Sequence, residues 1–283
     1  QYTQLIARRV RECNVYCEIL RCDTPIKQIQ DRNPIGIILS GGPASVYENY
    51  APTVDASVYE IGVPVLGICY GHQLMALQLG GIVQPAEKRE YGRADLSISN
   101  AGELFQGISG DQPCWMSHGD TVLAPPNGFE IYAHTNTTLV GSMGDKSRRL
   151  YGVQFHPEVV HSPYGRQVLE NFLFRIAKLE PGWSMKDFLR TAVKEIREQV
   201  GPKGRVLCGL SGGVDSTVAA TLIHRAIGDR LTCVLVDHGL LRLGEAAEVE
   251  RELETSRERH HDDRRHEQQH LRQIGRASCR ERV

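Results

Sequence analysis

The sequence predicts an α/β protein: an open, mostly parallel sheet domain followed by an incomplete second α/β domain. Three observations carry this. Strand-like and helix-like patterns alternate along residues 1–178, which is the signature of crossover-connected parallel strands. Within them, the apolar run Val63–Ile68 breaks at Gly67-Ile68-Cys69-Tyr70-Gly71 and resumes at helical spacing. After Glu180-Pro181-Gly182-Trp183 interrupts the pattern, a second strand–loop–helix–strand unit begins near Arg205.

The elements follow in order. Residues 1–12 read as a helix through Leu5, Ile6 and Val10, and Val15–Leu20 (VYCEIL) as a strand. Thr24-Pro25 starts a short helix through Ile26 and Ile29, closed by Asn33-Pro34. Gly36–Leu39 is a buried strand running into Ser40-Gly41-Gly42-Pro43, whose amides suit an anion, although an ordinary tight turn has the same pattern. Ala51–Ile61 reads as helical, Val63–Ile68 as a strand, and His72–Leu79 as a helix. Val83–Leu123 is irregular, with Trp115-Met116-Ser117-His118-Gly119-Asp120 as a polar loop in which His118 alone reads as a loop histidine. Leu150–Phe155 is a strand ending in His156-Pro157-Glu158, and Gly165–Lys178 an amphipathic helix. The expected domains are 1–179, a linker with its helix over 180–204 (helical from Met185 to Val200), and 205–249 as the start of the second domain. That second domain reads as strand Arg205–Leu210, loop Ser211–Ser216, helix Thr217–Ile227 and strand Leu231–Val236.

Composition narrows the class. A chain of 283 residues with 41% apolar residues accommodates about two cored domains. A formal net charge of -1 lends no support to nucleic-acid binding. No run of about 18 apolar residues and no charged-then-apolar leader occurs, so the expectation is a cytoplasmic protein with no membrane partner. The 8 cysteines are read as reduced. Cys13, Cys17 and Cys22 match no zinc spacing, so no metal site is expected there. Gln1 opens directly into a helical pattern, so a preceding strand is expected to be missing. From Glu250 to Val283 apolar residues nearly vanish, and one codon choice for Ile274–Val283 spells a common sequencing adapter. Residues 250–283 are therefore read as a non-native, disordered tail.

The chemistry centres on Cys69. Glycines on either side permit a sharp strand-to-helix turn that presents the thiol at a helix N-terminus, where thiolate is favoured. A buried structural thiol fits the same stretch. His156 and Glu158 also fall at a strand end, where α/β sheets gather reacting groups. A thiolate needs a histidine to carry its proton, and the histidine a carboxylate to fix its tautomer. Gly42 and Tyr70 are candidate amide donors to an oxyanion. Together Ser40–Pro43, Gly67–Gln73 and His156–Glu158 resemble the class I glutamine amidotransferases over nearly all of residues 1–178. The resemblance implies that Cys69 attacks the glutamine side-chain amide, that His156 and Glu158 complete the triad, and that Gly42 and Tyr70 form the oxyanion hole. It also implies that Gln73, Ser117, His118, Gly119 and Asp120 hold glutamine.

The loop Ser211-Gly212-Gly213-Val214-Asp215-Ser216, between strand and helix, offers amides and hydroxyls to phosphate. It lacks the Gly-Lys-Ser/Thr of a Walker A loop, and a plain turn is the bland alternative. The loop resembles that of the ATP pyrophosphatases. This implies that Ser211, Gly212, Gly213, Val214, Asp215 and Ser216 bind ATP with Mg2+, with Asp237 at the next strand end; His238 stands where an Asn is expected. The order of the two segments resembles the glutamine-hydrolysing GMP synthetase family. The implied substrates are glutamine, ATP and XMP, and the implied assembly a homodimer through C-terminal sequence. The chain as it stands is expected to keep the triad but not the full ligase reaction. The alternatives are a catalytically dead binding module and a standalone glutaminase subunit.

Overall fold

A computed structural model describes residues 2–211 and 213–235. Gly212, Asp237, His238 and the 250–283 segment lie outside the described residues. The chain divides into two compact units, Gln1–Ser184 and a second beginning at Met185.

The first unit contains helices α1 (Thr3–Glu12) and α2 (Ile26–Gln30), strands β1 (Ile37–Leu39) and β2 (Val65–Ile68), and helix α3 (Tyr70–Gln78). Strands β3 (Ile82–Ile98), β4 (Asp111–Ala124), β5 (Glu130–His134), β6 (Ser142–Asp145) and β7 (Leu150–Val153) follow, then helix α4 (Gly165–Glu170), which continues as a π-helical segment over Asn171–Ile176. The seven strands form one sheet in the order β1-β2-β7-β6-β5-β3-β4. The parallel part, β1-β2-β7, carries the strand ends at which Cys69 and His156 were expected. The other four ladders run antiparallel.

Both faces of the sheet are covered. On one, Leu66, Ile68, Tyr151 and Val153 pack against Ile6 and Val10 of α1 and against Val168 and Phe172. On the other, Val65 and Leu150 pack with Met75 of α3 and with Val58, Val122 and Met143. Burial on both sides explains why β2 reads as a continuous apolar run rather than an alternating one.

Four expectations are corrected. Val15–Leu20 forms no helix and joins no ladder among the described residues. A strand exists only through its neighbour, and β-propensity cannot supply one. Ala51–Ile61 is helical only as a 3-10 turn over Ala56–Glu60, started by Asp55, whose side chain accepts from the Ser57 amide at 3.0 Å. The irregular Val83–Leu123 stretch is a long antiparallel hairpin of β3 and β4. Trp115–Asp120 accordingly lies in strand β4, with Cys114, Met116, His118 and Asp120 pointing inward at alternate positions. Polar residues disguised that alternation, because the inward side chains include an imidazole and a carboxylate.

The second unit contains α5 (Met185–Val200), β8 (Val206–Leu210), α6 (Val214–Ile227) and β9 (Leu231–Leu235). Strands β8 and β9 pair in parallel from Val206↔Leu231 to Leu210↔Leu235. Its core joins Leu210, Ala220, Ile227 and Leu231 with Val193 and Ile196 of α5.

Candidate active site

The backbone turns sharply at Cys69, between the end of β2 and the start of α3, with φ 51° and ψ -105°. A non-glycine residue held there is strained, and the neighbouring packing must enforce it. Gly67 and Gly71 make the turn possible. A Cβ on Gly67 would lie 2.5 Å from the Gly71 carbonyl oxygen, and one on Gly71 would lie 2.3 Å from the Leu39 carbonyl oxygen. The Cys69 amide donates to Val153 O at 2.8 Å, anchoring the turn to β7. Its Sγ is buried and contacts Ser117 O at 3.5 Å and Gln154 Nε2 at 3.8 Å.

His156 follows β7, its amide donating to Trp115 O at 3.0 Å. Its Nδ1 meets Glu158 Oε1 at 2.8 Å, and both side chains are buried. Nε2 makes no hydrogen bond among the described residues but lies within electrostatic reach of Cys69. Burial alone pushes the imidazole pKa down; the Cys69 sulfur and the Glu158 carboxylate outweigh it and raise the value to about 9. Gly41 packs against both groups, since a Cβ there would lie 2.8 Å from His156 Cε1 and 3.4 Å from Cys69 Cβ. Gly42 lies on the Tyr70 ring. The expected triad and oxyanion residues are thus neighbours.

Helix α1 braces the same groups, which sequence reasoning did not anticipate. The Tyr2 ring stands edge-on to His156 at 5.3 Å between centroids, Arg9 Nε donates to Glu158 O at 2.9 Å, and Thr3 Oγ1 to Ser40 Oγ at 2.9 Å. Gln154, wholly buried, was also missed. An ordinary strand-end glutamine carries no local signal; only the fold brings it to the thiol.

Gln73 projects from α3 toward β4, its Nε2 donating to Asp120 O at 2.7 Å and to Gln154 Oε1 at 3.2 Å. Ser117, Gly119 and Asp120 lie on β4, with Ser117 O against Cys69 and the buried Asp120 Oδ2 making no hydrogen bond among the described residues. His118 is buried between Asp120 O, 2.8 Å from Nδ1, and Glu90 Oε2, 3.1 Å from Nε2.

His72, beneath the turn, sets a pH dependence. Its Nε2 donates to Val140 O at 3.2 Å, yet complete burial lowers its pKa from 6.5 to about 3 despite that bond, helped by the nearby His118. Between these values the unfolded chain takes up a proton that the folded chain refuses, so stability falls as pH drops below about 6.5. His156 acts oppositely: its contribution is complete below 6.5 and lost as pH rises through about 9. Urea midpoints measured across this range should peak near neutrality, and H72Q should flatten the acid limb; an unchanged acid limb would refute the assignment.

In the second unit, Val214, Asp215 and Ser216 form the first turn of α6 rather than loop, with Gly213 capping it. The Ser211 amide donates to Ser216 Oγ at 3.3 Å, the two hydroxyls are 3.2 Å apart, and Ser216 Oγ donates to Gly213 O at 3.0 Å. These bonds draw the strand end over the helix N-terminus, leaving an exposed rim of hydroxyls and amides suited to phosphate. Among the described residues no group of three or more His, Cys, Asp or Glu is arranged to hold a metal, and no helix is long and apolar enough to cross a membrane.

Comparison with known proteins adds independent support. A profile described as glutamine amidotransferase class-I matches residues 1–176, and one described as NAD synthase matches residues 183–240. The glutamine-hydrolyzing GMP synthase of Carboxydothermus hydrogenoformans is 58% identical over 251 residues, covering 89% of this chain and 49% of that protein. The enzyme of the same name from Clostridium perfringens is 53% identical over 251 residues, with the same coverage of 89% and 49%. The chain therefore spans about half the length of the curated relatives it matches. A solved structure from Thermoplasma acidophilum, described as one subunit of a GMP synthase, is 32% identical with a TM-score of 0.57, covering 63% of this chain and 89% of that one.

Proposed function

Because the chain belongs to the class-I glutamine amidotransferase family, we propose that its first unit hydrolyses glutamine at Cys69 to supply ammonia for GMP synthesis. The observation that carries this is the strained Cys69 turn next to the buried His156–Glu158 pair. Cys69 sulfur attacks the side-chain amide carbon, and the oxygen takes up negative charge toward the amides of Gly42 and Tyr70. His156, an imidazolium held by Glu158, passes its proton to the departing nitrogen, and ammonia leaves. The thioester remains. His156, now neutral, takes a proton from water as that water attacks, and returns it to the sulfur as glutamate departs. Gln73 and Ser117–Asp120 hold the amino-acid end of the substrate.

The second unit binds ATP in this reading, with phosphates at Ser211, Gly213, Val214, Asp215 and Ser216, joined by Gly212 and Asp237. Mg2+ bound with the nucleotide would offset the charge of its phosphates. Adenylation of XMP releases pyrophosphate, and ammonia then displaces AMP to give GMP. The NAD synthase-like match and the names of the relatives support this half.

The test is covalent labelling with 6-diazo-5-oxo-norleucine, a glutamine analogue that traps an amidotransferase thiol. Peptide mapping is expected to find one adduct, on Cys69, abolished by C69S. An adduct on another cysteine, or none on folded protein, refutes the glutaminase.

A further inference from the structure

We propose that Glu90 is a positioning residue for glutamine, acting through His118 on the strand that faces Cys69. The proposal rests on the glutaminase reading above. Glu90 is opposite His118 in the β3–β4 ladder, just after a bulge. Pro85 pairs with Asp120 and Glu90 with His118, so residues 86–89 bow out opposite Gly119 alone. A bulge re-aims side chains, and here Glu90 and His118 meet in the interior.

The carboxylate collects four side-chain donors. His118 Nε2 lies 3.1 Å from Oε2, Thr138 Oγ1 2.7 Å from Oε2, and Thr135 Oγ1 2.8 Å from Oε1; Thr137 Oγ1 also bonds Oε1. Burial opposes ionisation, but these donors overcome it and hold the Glu90 pKa down at about 2. A carboxylate so saturated is a fixed node rather than a mobile acid.

The node has two arms, and both reach the thiol. Through His118 it fixes Asp120 O, which receives Gln73, and the adjoining Ser117 O against Cys69 Sγ. Through the threonines it fixes a turn closed by Thr135 N donating to Thr138 O at 2.9 Å. That turn leads to Val140 O, which accepts from His72, and to Gly141 O, which accepts from the Gln154 amide at 2.9 Å. Neither arm brings Glu90 itself to the reacting atoms. Loosening it should therefore weaken capture of glutamine more than the chemical step.

The experiment measures inactivation by 6-diazo-5-oxo-norleucine on the full chain, separating the half-saturating concentration from the limiting rate. E90A is expected to raise the first about tenfold and to change the second less than about threefold, the cost of one unpaired buried partner. E90Q keeps an acceptor for Thr135 and Thr137 and can still pair with a His118 protonated only on Nδ1, so its shift should be about threefold. If E90A fails to fold, E90Q decides. H118N should raise the half-saturating concentration too, and adding E90Q to H118N should have no further effect, because the two act in series. Unchanged half-saturation in both Glu90 variants, a loss confined to the limiting rate, or additive effects in the double variant would overturn the proposal. Wild-type protein modified at Cys69 alongside unchanged variants defeats this proposal alone; wild-type protein left unmodified defeats the glutaminase reading and this with it.

Discussion

Glutamine turnover in H156N should fall by a factor on the order of 10^3, the usual loss when a positioned proton carrier is removed. The pH profile is the more specific result. With its pKa raised to about 9, His156 keeps the proton that the departing ammonia needs throughout the neutral range. The wild-type rate should decline only as pH approaches 9 and the imidazolium is lost. E158Q removes one of the two influences that raise this pKa, so the alkaline decline should begin at lower pH. Initial rates of glutamate release from pH 6 to 10 check both; an alkaline limb that E158Q leaves in place would show that Glu158 does not govern the proton on His156.

Gly71→Ala should be strongly destabilising to the first unit. The added Cβ would meet the Leu39 carbonyl oxygen at 2.3 Å and the Leu39 Cβ at 2.7 Å. Leu39 cannot retreat, because it is paired in the β1–β2 ladder with Gly67, which is itself pressed against Gly71. A destabilisation of about 3 kcal/mol, near the upper end for overpacking, is expected in urea unfolding, together with loss of Cys69 labelling. Gly182 has open space around it and serves as the control, with an alanine effect within about 0.5 kcal/mol. Equal behaviour of the two variants would contradict the packing described at the turn.

Both effects arise at residues whose roles are legible in the sequence. The glycines around Cys69 and the strand-end His156 and Glu158 are local signals of steric need and of α/β topology, and the structure brings those residues together. Where the sequence misled, the deciding interactions were remote. Val15–Leu20 has the composition of a strand without a ladder to join among the described residues. Trp115–Asp120 looked like a loop because the inward positions of β4 carry His118 and Asp120, and the partner of His118, Glu90, lies in another strand. Arg9 and Tyr2 were invisible for the same reason, since nothing near them in sequence shows that they meet the triad, and Gln154, although close to His156 in sequence, meets Cys69 only across 85 residues. In the second unit, helix α6 begins earlier than the spacing suggested, because Ser211 and Ser216 fold the apparent loop onto its first turn.

The ladder between β2 and β7 has a kinetic consequence. Cys69 and Gln154 are 85 residues apart in the chain, and Arg9 and Glu158 are 149 apart. Parallel pairing over such separations closes large loops before any contact rewards them, and it is therefore slow. Hairpin β3–β4, joined through residues 99–110, closes a smaller loop and is delayed less. During refolding, the thiol acquires its partners only when the most distant segments dock. A chain whose Cys69 reacts with glutamine analogues has thereby docked these distant segments, so reactivity serves as a built-in readout of long-range assembly in the first unit.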